Sequence, residues 1–258
     1  MISTNNLRER FRSRELLFGS WLSFGHASIA EIFAASGFDF LAIDLEHSTI
    51  SLSEAQRIIA ASQSYGVPCL PRPVSHSNDW IKPLLDSGAD GLITPMTNNL
   101  VEAQQLKDYL KFPPLGKRSY GINRAQAYGS TFDLYVSSWN ERSILVPQIE
   151  SVEAVRSIRQ ILSVNEVDGV MIGPYDLSGS LGVPGNILDS KVQEAEEEVI
   201  TACKDAGKAC GTQLAKFDSS TVKRALSKGY TFIIASSDLF ILNQWAQDAK
   251  STINFTKN

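Results

Sequence analysis

The chain has 258 residues, of which 43% are hydrophobic and 20% charged, with a net charge of −4, a balance that excludes a disordered or fibrous protein. No basic block offers a phosphate-binding stripe, which argues against nucleic acid as a ligand, and no apolar run approaches the roughly 20 residues needed to span a bilayer. Three cysteines, Cys69, Cys203 and Cys210, without C-x-x-C spacing, read as reduced, buried thiols of a cytoplasmic protein.

Met1 to Arg14 carries four arginines and no apolar h-region, so it does not read as a signal peptide. Within it, Leu7 and Phe11 at i, i+4 predict a short amphipathic helix. From there β-type apolar runs alternate with helical patterns to the end of the chain. The predicted strands are Leu16–Leu22, Phe40–Leu45, Cys69–Pro73, Gly91–Met96, Ile144–Ile149, Gly169–Gly173, Ala209–Gln213 and Thr231–Ser236. Helical stretches lie between them, and Leu239–Ala249 follows the last. Ser51 and Glu54 have capping-box spacing, and Asp238 stands at the start of the last helix. Gly37, Gly66, Gly88, Gly207 and Gly229 each fall where a helix stops before a strand. Eight strand–helix pairs in about 250 residues predict one domain, 1–258, folded as an α/β (β/α)8 TIM barrel. A doubly wound open sheet is the alternative, but it would have fewer strands, and no Gly-x-Gly-x-x-Gly follows the first. The segment from Pro113 to Gly129 reads as one long irregular loop of functional importance.

In such a barrel the active site gathers at the C-terminal ends of the strands. Those ends supply Trp21 and Ser23, then Asp44-Leu45-Glu46-His47, Arg72, Pro95-Met96, Gln148 with Glu150, and Asp176. Glu150 and Asp176 are hard oxygen donors suited to Mg²⁺ or Mn²⁺; the competing reading makes each a helix-terminal acid. Arg72, stiffened between Pro71 and Pro73, offers a fork for a carboxylate, or else a structural ion pair. His47, beside Asp44 and Glu46, is placed for acid/base work, although a structural hydrogen-bonding role is equally open. No lysine falls inside a predicted strand, which disfavours an imine mechanism.

These residues occur in an order that resembles the HpcH/HpaI aldolase/citrate lyase family of metal-dependent pyruvate aldolases. The motifs are Ile43-Asp44-Leu45-Glu46-His47, Pro71-Arg72-Pro73, Leu85-Asp86-Ser87-Gly88-Ala89 with Pro95-Met96, Gly116-Lys117-Arg118 through Tyr128-Gly129, Gln148-Ile149-Glu150, and Gly173-Pro174-Tyr175-Asp176. The resemblance covers about Gly19 to Gly211. It implies a class II aldolase that cleaves or forms a 4-hydroxy-2-oxo acid, with pyruvate (or another 2-oxo acid) and an aldehyde as small-molecule substrates. It further implies a divalent cation, Mg²⁺, Mn²⁺ or Co²⁺, on Glu150 and Asp176, with His47 as acid/base, Arg72 neutralising the substrate carboxylate or enolate, and Asp86 orienting His47. Asp44, Gln148, Trp21, Pro174 and Tyr175 would line the substrate. Family members are hexamers, which implies a homo-oligomer (a hexamer or trimer of dimers) with the C-terminal helix packed on a neighbouring subunit. Ser119 and Leu188-Asp189-Ser190 depart from the common pattern, and a citrate synthase-like enzyme using oxaloacetate and acetyl-CoA is the alternative. Aldehyde specificity is expected in the Pro113–Gly129 loop, in the loops after Ser178 and Gln213, and in a neighbouring subunit, since active sites in the family lie near subunit interfaces.

Overall fold

A computed structural model describes residues 6–257. In chain order the elements are α1 (Leu7–Arg12), β1 (Leu17–Leu22), α2 (Ala27–Ala34), β2 (Phe40–Ile43), α3 (Leu52–Ser64), α4 (Asn78–Asp86), β3 (Gly91–Thr94), α5 (Leu100–Leu110), α6 (Phe132–Arg142), β4 (Ile144–Ile149), α7 (Val152–Arg156), α8 (Ile158–Leu162), β5 (Gly169–Ile172), α9 (Pro174–Ser180), α10 (Ser190–Asp205), β6 (Ala209–Leu214), α11 (Ser219–Lys228), β7 (Phe232–Ser237) and α12 (Asp238–Lys257). The seven strands are parallel in the order β2-β1-β7-β6-β5-β4-β3.

The expected strand at Cys69–Pro73 is present only as an extended segment, and it fills the gap between β2 and β3. It bridges Leu41 to Cys69 and Asp44 to Arg72, and on its other side accepts from Asp90 N (3.0 Å, at Cys69 O) and Ile93 N (3.2 Å, at Pro71 O). The ladder is interrupted because Pro71 and Pro73 have no N–H to donate. Seven strands and this segment thus surround one core, as a (β/α)8 arrangement requires.

Two apolar layers fill the structure. Inside the barrel lie Trp21, Phe40, Leu70, Ile93, Val146, Met171, Phe232 and Ile234, with Leu7 and Phe11 of α1 closing the end where the strands begin. The Phe11 ring sits 5.1 Å from that of Phe232 and 5.8 Å from that of Phe40. Gly19 and Gly211 make room for these rings, since a β-carbon at either would overlap Phe40 or Phe232. The outer layer lies between sheet and helices. The Ser51–Glu54 capping box forms as expected, and Asp238 accepts from Leu239 N at 2.8 Å. Leu239, Phe240, Ile241, Leu242 and Trp245 of α12 are exposed. Among the described residues no helix is long and apolar enough to cross a membrane.

The stretch expected as one irregular loop contains a 3-10 turn at Arg124–Gly129 and is followed by α6, which the strand–helix pattern did not identify. It joins the end of α5 to the start of β4, so in its own chain it lies at the rim where strands begin. It therefore does not line this chain's own C-terminal face. Arg118 pins it, stacking 4.7 Å from the Phe112 ring and 4.5 Å from that of Trp139 and donating to Tyr135 Oη.

The same rim buries Lys111, whose Nζ donates to Asn140 O, Ser143 O and Ser143 Oγ at 2.7–2.8 Å. Arg8 joins it through Asn140 O and Asp168. Burial, reinforced by Arg8, pushes the Lys111 ammonium down from 10.5 to about 7. Between those values the unfolded chain binds more protons than the folded one, so this group adds stability as pH rises from about 7. Lys111→Met strands the acceptors and should cost about 2 kcal/mol. The deficit relative to wild type should be larger at pH 9 than at pH 6 in urea unfolding, and a deficit that shrinks with pH would refute the assignment.

Candidate active site

The turn after β2 is built on Asp44. Its Oδ1 accepts from the backbone N–H of both Glu46 and His47 at 3.1 Å, an Asx-type turn, and Ser48 Oγ donates to its carbonyl. The turn thereby carries Glu46 and His47 out of the strand end. Arg72 enters from the adjacent extended segment, placed by Arg72 N donating to Ile43 O at 2.7 Å and Leu45 N donating to Arg72 O at 3.0 Å.

The Arg72 guanidinium is buried, and each of its three nitrogens has a partner. Nε and Nη2 reach Asp44 Oδ1 at 3.1 and 2.8 Å, and Nη1 donates to Gln148 Oε1 at 3.2 Å. The group also lies over the Trp21 ring, 4.7 Å from its centroid. Nη1 is 3.1 Å from Glu46 Oε2, but that oxygen receives no well-directed hydrogen bond, so the contact is a charge pair without N–H alignment. Gln148 completes the chain by donating Nε2 to Glu150 Oε1 at 2.9 Å.

Glu150 is buried, and its second oxygen accepts from Met96 N at 3.0 Å. It does not cap the helix after β4, because Ser151 does so by accepting from Ala154 N. Asp176 stands in the first turn of α9, exposed, and makes no side-chain hydrogen bond among the described residues; the N-cap position is Gly173. The helix-cap reading therefore does not account for Glu150. Burial pushes the Glu150 carboxyl up to about 7, with Glu46 and Asp176 adding to the rise against Met96 N–H and Arg72. Burial likewise raises Glu46, opposed by Arg72 and His47 and helped by Asp44 and Asp176.

The structure thus brings Trp21, Asp44, His47, Arg72, Gln148, Glu150, Pro174, Tyr175 and Asp176 to the same strand ends, and adds Glu46, which the sequence offered only as a neighbour of His47. His47 is exposed, with Nε2 3.6 Å from Glu46 Oε2. Asp86 is not brought to them. It ends α4, which runs back towards the opposite rim, and its Oδ1 accepts from Arg118 Nη2 at 3.0 Å. Within one chain, then, Asp86 does not orient His47.

Four carboxylates, Asp44, Glu46, Glu150 and Asp176, face a single guanidinium, and Glu46 retains a buried oxygen without a donor. That surplus of hard, negative oxygens fits a divalent cation. Among the described residues no three Asp, Glu, His or Cys side chains are drawn up as a ready-made metal cluster.

A family model described as HpcH/HpaI aldolase/citrate lyase matches residues 17–244. A 2-keto-3-deoxy-L-rhamnonate aldolase of Salmonella typhi is 35% identical over 243 residues, 93% of this chain and 90% of that protein. The crystal structure of an HpcH/HpaI aldolase/citrate lyase family protein from Burkholderia cenocepacia J2315 superposes with a TM-score of 0.90 at 30% identity, covering 97% of this chain and 100% of that one. Citrate synthase SbnG, at 23% identity and a TM-score of 0.84 over 97% of this chain and 98% of its own, shares the fold.

Removing the guanidinium isolates buried carboxylates, so Arg72→Met should lower unfolding stability by about 3 kcal/mol at neutral pH. A urea midpoint equal to wild type would show that Asp44 and Glu46 do not depend on it.

Proposed function

The chain belongs to the HpcH/HpaI aldolase/citrate lyase family and is an aldolase, a carbon–carbon lyase, and from that premise we propose its substrate and the roles of its residues. The reaction is reversible cleavage of a 4-hydroxy-2-oxo acid into pyruvate, or a related 2-oxo acid, and an aldehyde. The observation that carries this reading is the Arg72–Gln148–Glu150 chain beside an unneutralised set of carboxylates. The named relatives act on a 2-keto-3-deoxy sugar acid, a compound of the same functional pattern.

Glu150 and Asp176 would hold the cation, with Mg²⁺, Mn²⁺ and Co²⁺ as candidates. When bound, it supplies Lewis-acid polarisation of the 2-oxo group. Arg72 binds the substrate carboxylate and balances the charge that develops as the enolate forms. Gln148 orients Glu150 and lies against the oxo acid, and Trp21 lies beneath Arg72. His47, exposed beside Glu46, takes the 4-hydroxyl proton as the C3–C4 bond breaks, and returns one in synthesis. Asp44 shapes the turn that presents His47 and faces the aldehyde, while Pro174 and Tyr175 border the same opening. The apolar face of α12 is assigned to contact with a neighbouring copy in a homo-oligomer, and Asp86 can meet a His47 only across such a contact.

Activity should disappear in EDTA and return with Mn²⁺, Co²⁺ or Mg²⁺, as followed by pyruvate release. Persistence in chelator together with borohydride trapping of a pyruvate adduct would sink the proposal, as would citrate formation from oxaloacetate and acetyl-CoA without any aldol cleavage. His47→Ala should lower kcat about 10²- to 10⁴-fold while Mn²⁺ affinity stays unchanged; full activity in that variant would move the proton transfer elsewhere.

A further inference from the structure

We infer that His76 is a positioning residue for the Glu150 carboxylate, acting through the one peptide unit that joins Pro95 to Met96; this rests on the reading of Glu150 as a cation ligand. The carbonyl of that unit is 2.6 Å from His76 Nε2, and its N–H donates to Glu150 Oε2 at 3.0 Å. A carbonyl oxygen carries no proton, so in this contact Nε2 is the donor. A donor on the carbonyl polarises the unit and strengthens the N–H on its other side. One amide thus links the loop after the third barrel segment to a side chain at the end of β4.

The backbone supplies an independent sign that this peptide is held in place. Met96 has φ 42°, in the left-handed region, a conformation that costs a non-glycine residue on the order of 1 kcal/mol and survives only where its surroundings over-determine it. Those surroundings are specific. Asn98 Nδ2 donates to Met96 O at 3.0 Å, Thr97 N donates to Gln148 O at 3.2 Å, and Ser151 Oγ, at the cap of α7, donates to Asn98 Oδ1 at 2.5 Å. They fix the loop after β3 against the end of β4. His76 adds the hold from the other side, on the carbonyl whose rotation would turn the Met96 N–H away from Glu150. The ring is half-buried in a loop and sits in no apolar core, so folding alone gives it little to do.

The test is Mn²⁺ titration calorimetry on metal-stripped protein, comparing wild type with His76→Phe, His76→Ala and His76→Gln. Partners that orient a metal ligand are worth about 10- to 100-fold in affinity. The Phe and Ala variants should therefore bind Mn²⁺ about tenfold more weakly, with the melting temperature of the metal-free protein unchanged. The Gln variant keeps an N–H within reach of the Pro95 carbonyl and should recover most of the loss. Wild-type affinity in the Phe and Ala variants overturns the inference, and so does a Gln variant as weak as the Phe variant. If the Phe variant does not fold, the Ala variant decides. Absence of Mn²⁺ binding in wild type overturns the cation reading of Glu150, and the role of His76 falls with it.

Discussion

The mouth of the barrel depends on one buried guanidinium. Arg72 reaches Asp44 and Glu46 on one side, Gln148 on the other, and lies over Trp21. A fork of fixed N–H directions can satisfy acceptors from several strands at once, which a lysine ammonium on a flexible stem does less well. The turn that presents His47 and the amide that steadies Glu150 both begin at its partners. Take that charge away and Glu46 and Glu150, which burial already raises, lose the cation that opposes the rise.

Even with Arg72 in place the balance is negative. A chain shaped only for stability would bury apolar groups there or supply a second base; this one keeps Glu46 partly unsatisfied and Glu150 raised towards neutrality. Departures of this kind from local satisfaction collect where a protein works, because binding supplies the missing partner. The rest of the barrel is ordinary by contrast: aromatic rings from β2 and β7 fill its interior, two glycines leave space for them, and α1 closes the far end.

Much of this was legible in the amino acids. Apolar runs of four to six residues showed where the strands lie, and a polar residue after such a run had to emerge at a rim. This is why Asp44, Arg72, Gln148 and Glu150 stand out in the sequence alone. Glu46 was harder, since its importance comes from burial against Arg72 and not from its place in a run. His76 could not be read at all, because its contact lies 19 residues away, beyond α4 and β3. Helix α6 carried a signal in Tyr135 and Trp139 at i, i+4 spacing, whose rings stack at 5.1 Å, but its serines obscured the pattern. The role of Asp86 came from resemblance and that of the Pro113–Gly129 loop from its length, while the order of elements shows why neither reaches this chain's own strand ends: a connection from helix to following strand ends at the opposite rim.

The proline-flanked segment that carries Arg72 has a further consequence for how the protein can change. Its ladder lacks donors on the β3 side, where Pro71 and Pro73 face, and there Arg72 Nη1 donating to Gln148 of β4 helps to join the mouth, while its pair with Asp44 adds to backbone bonds already made with β2. Bracing of the barrel mouth and, in the proposed function, recognition of a carboxylate are therefore invested in one side chain. Drift at that position is penalised twice, in folding and in activity, and cannot be offset by gains in only one. Divergence in substrate preference has to run through exposed residues that carry no share of the seam, such as Tyr175 after β5 and Phe217 after β6. A lineage of such enzymes would keep its acid-binding end constant and vary the other, a division of labour imposed by two missing backbone protons.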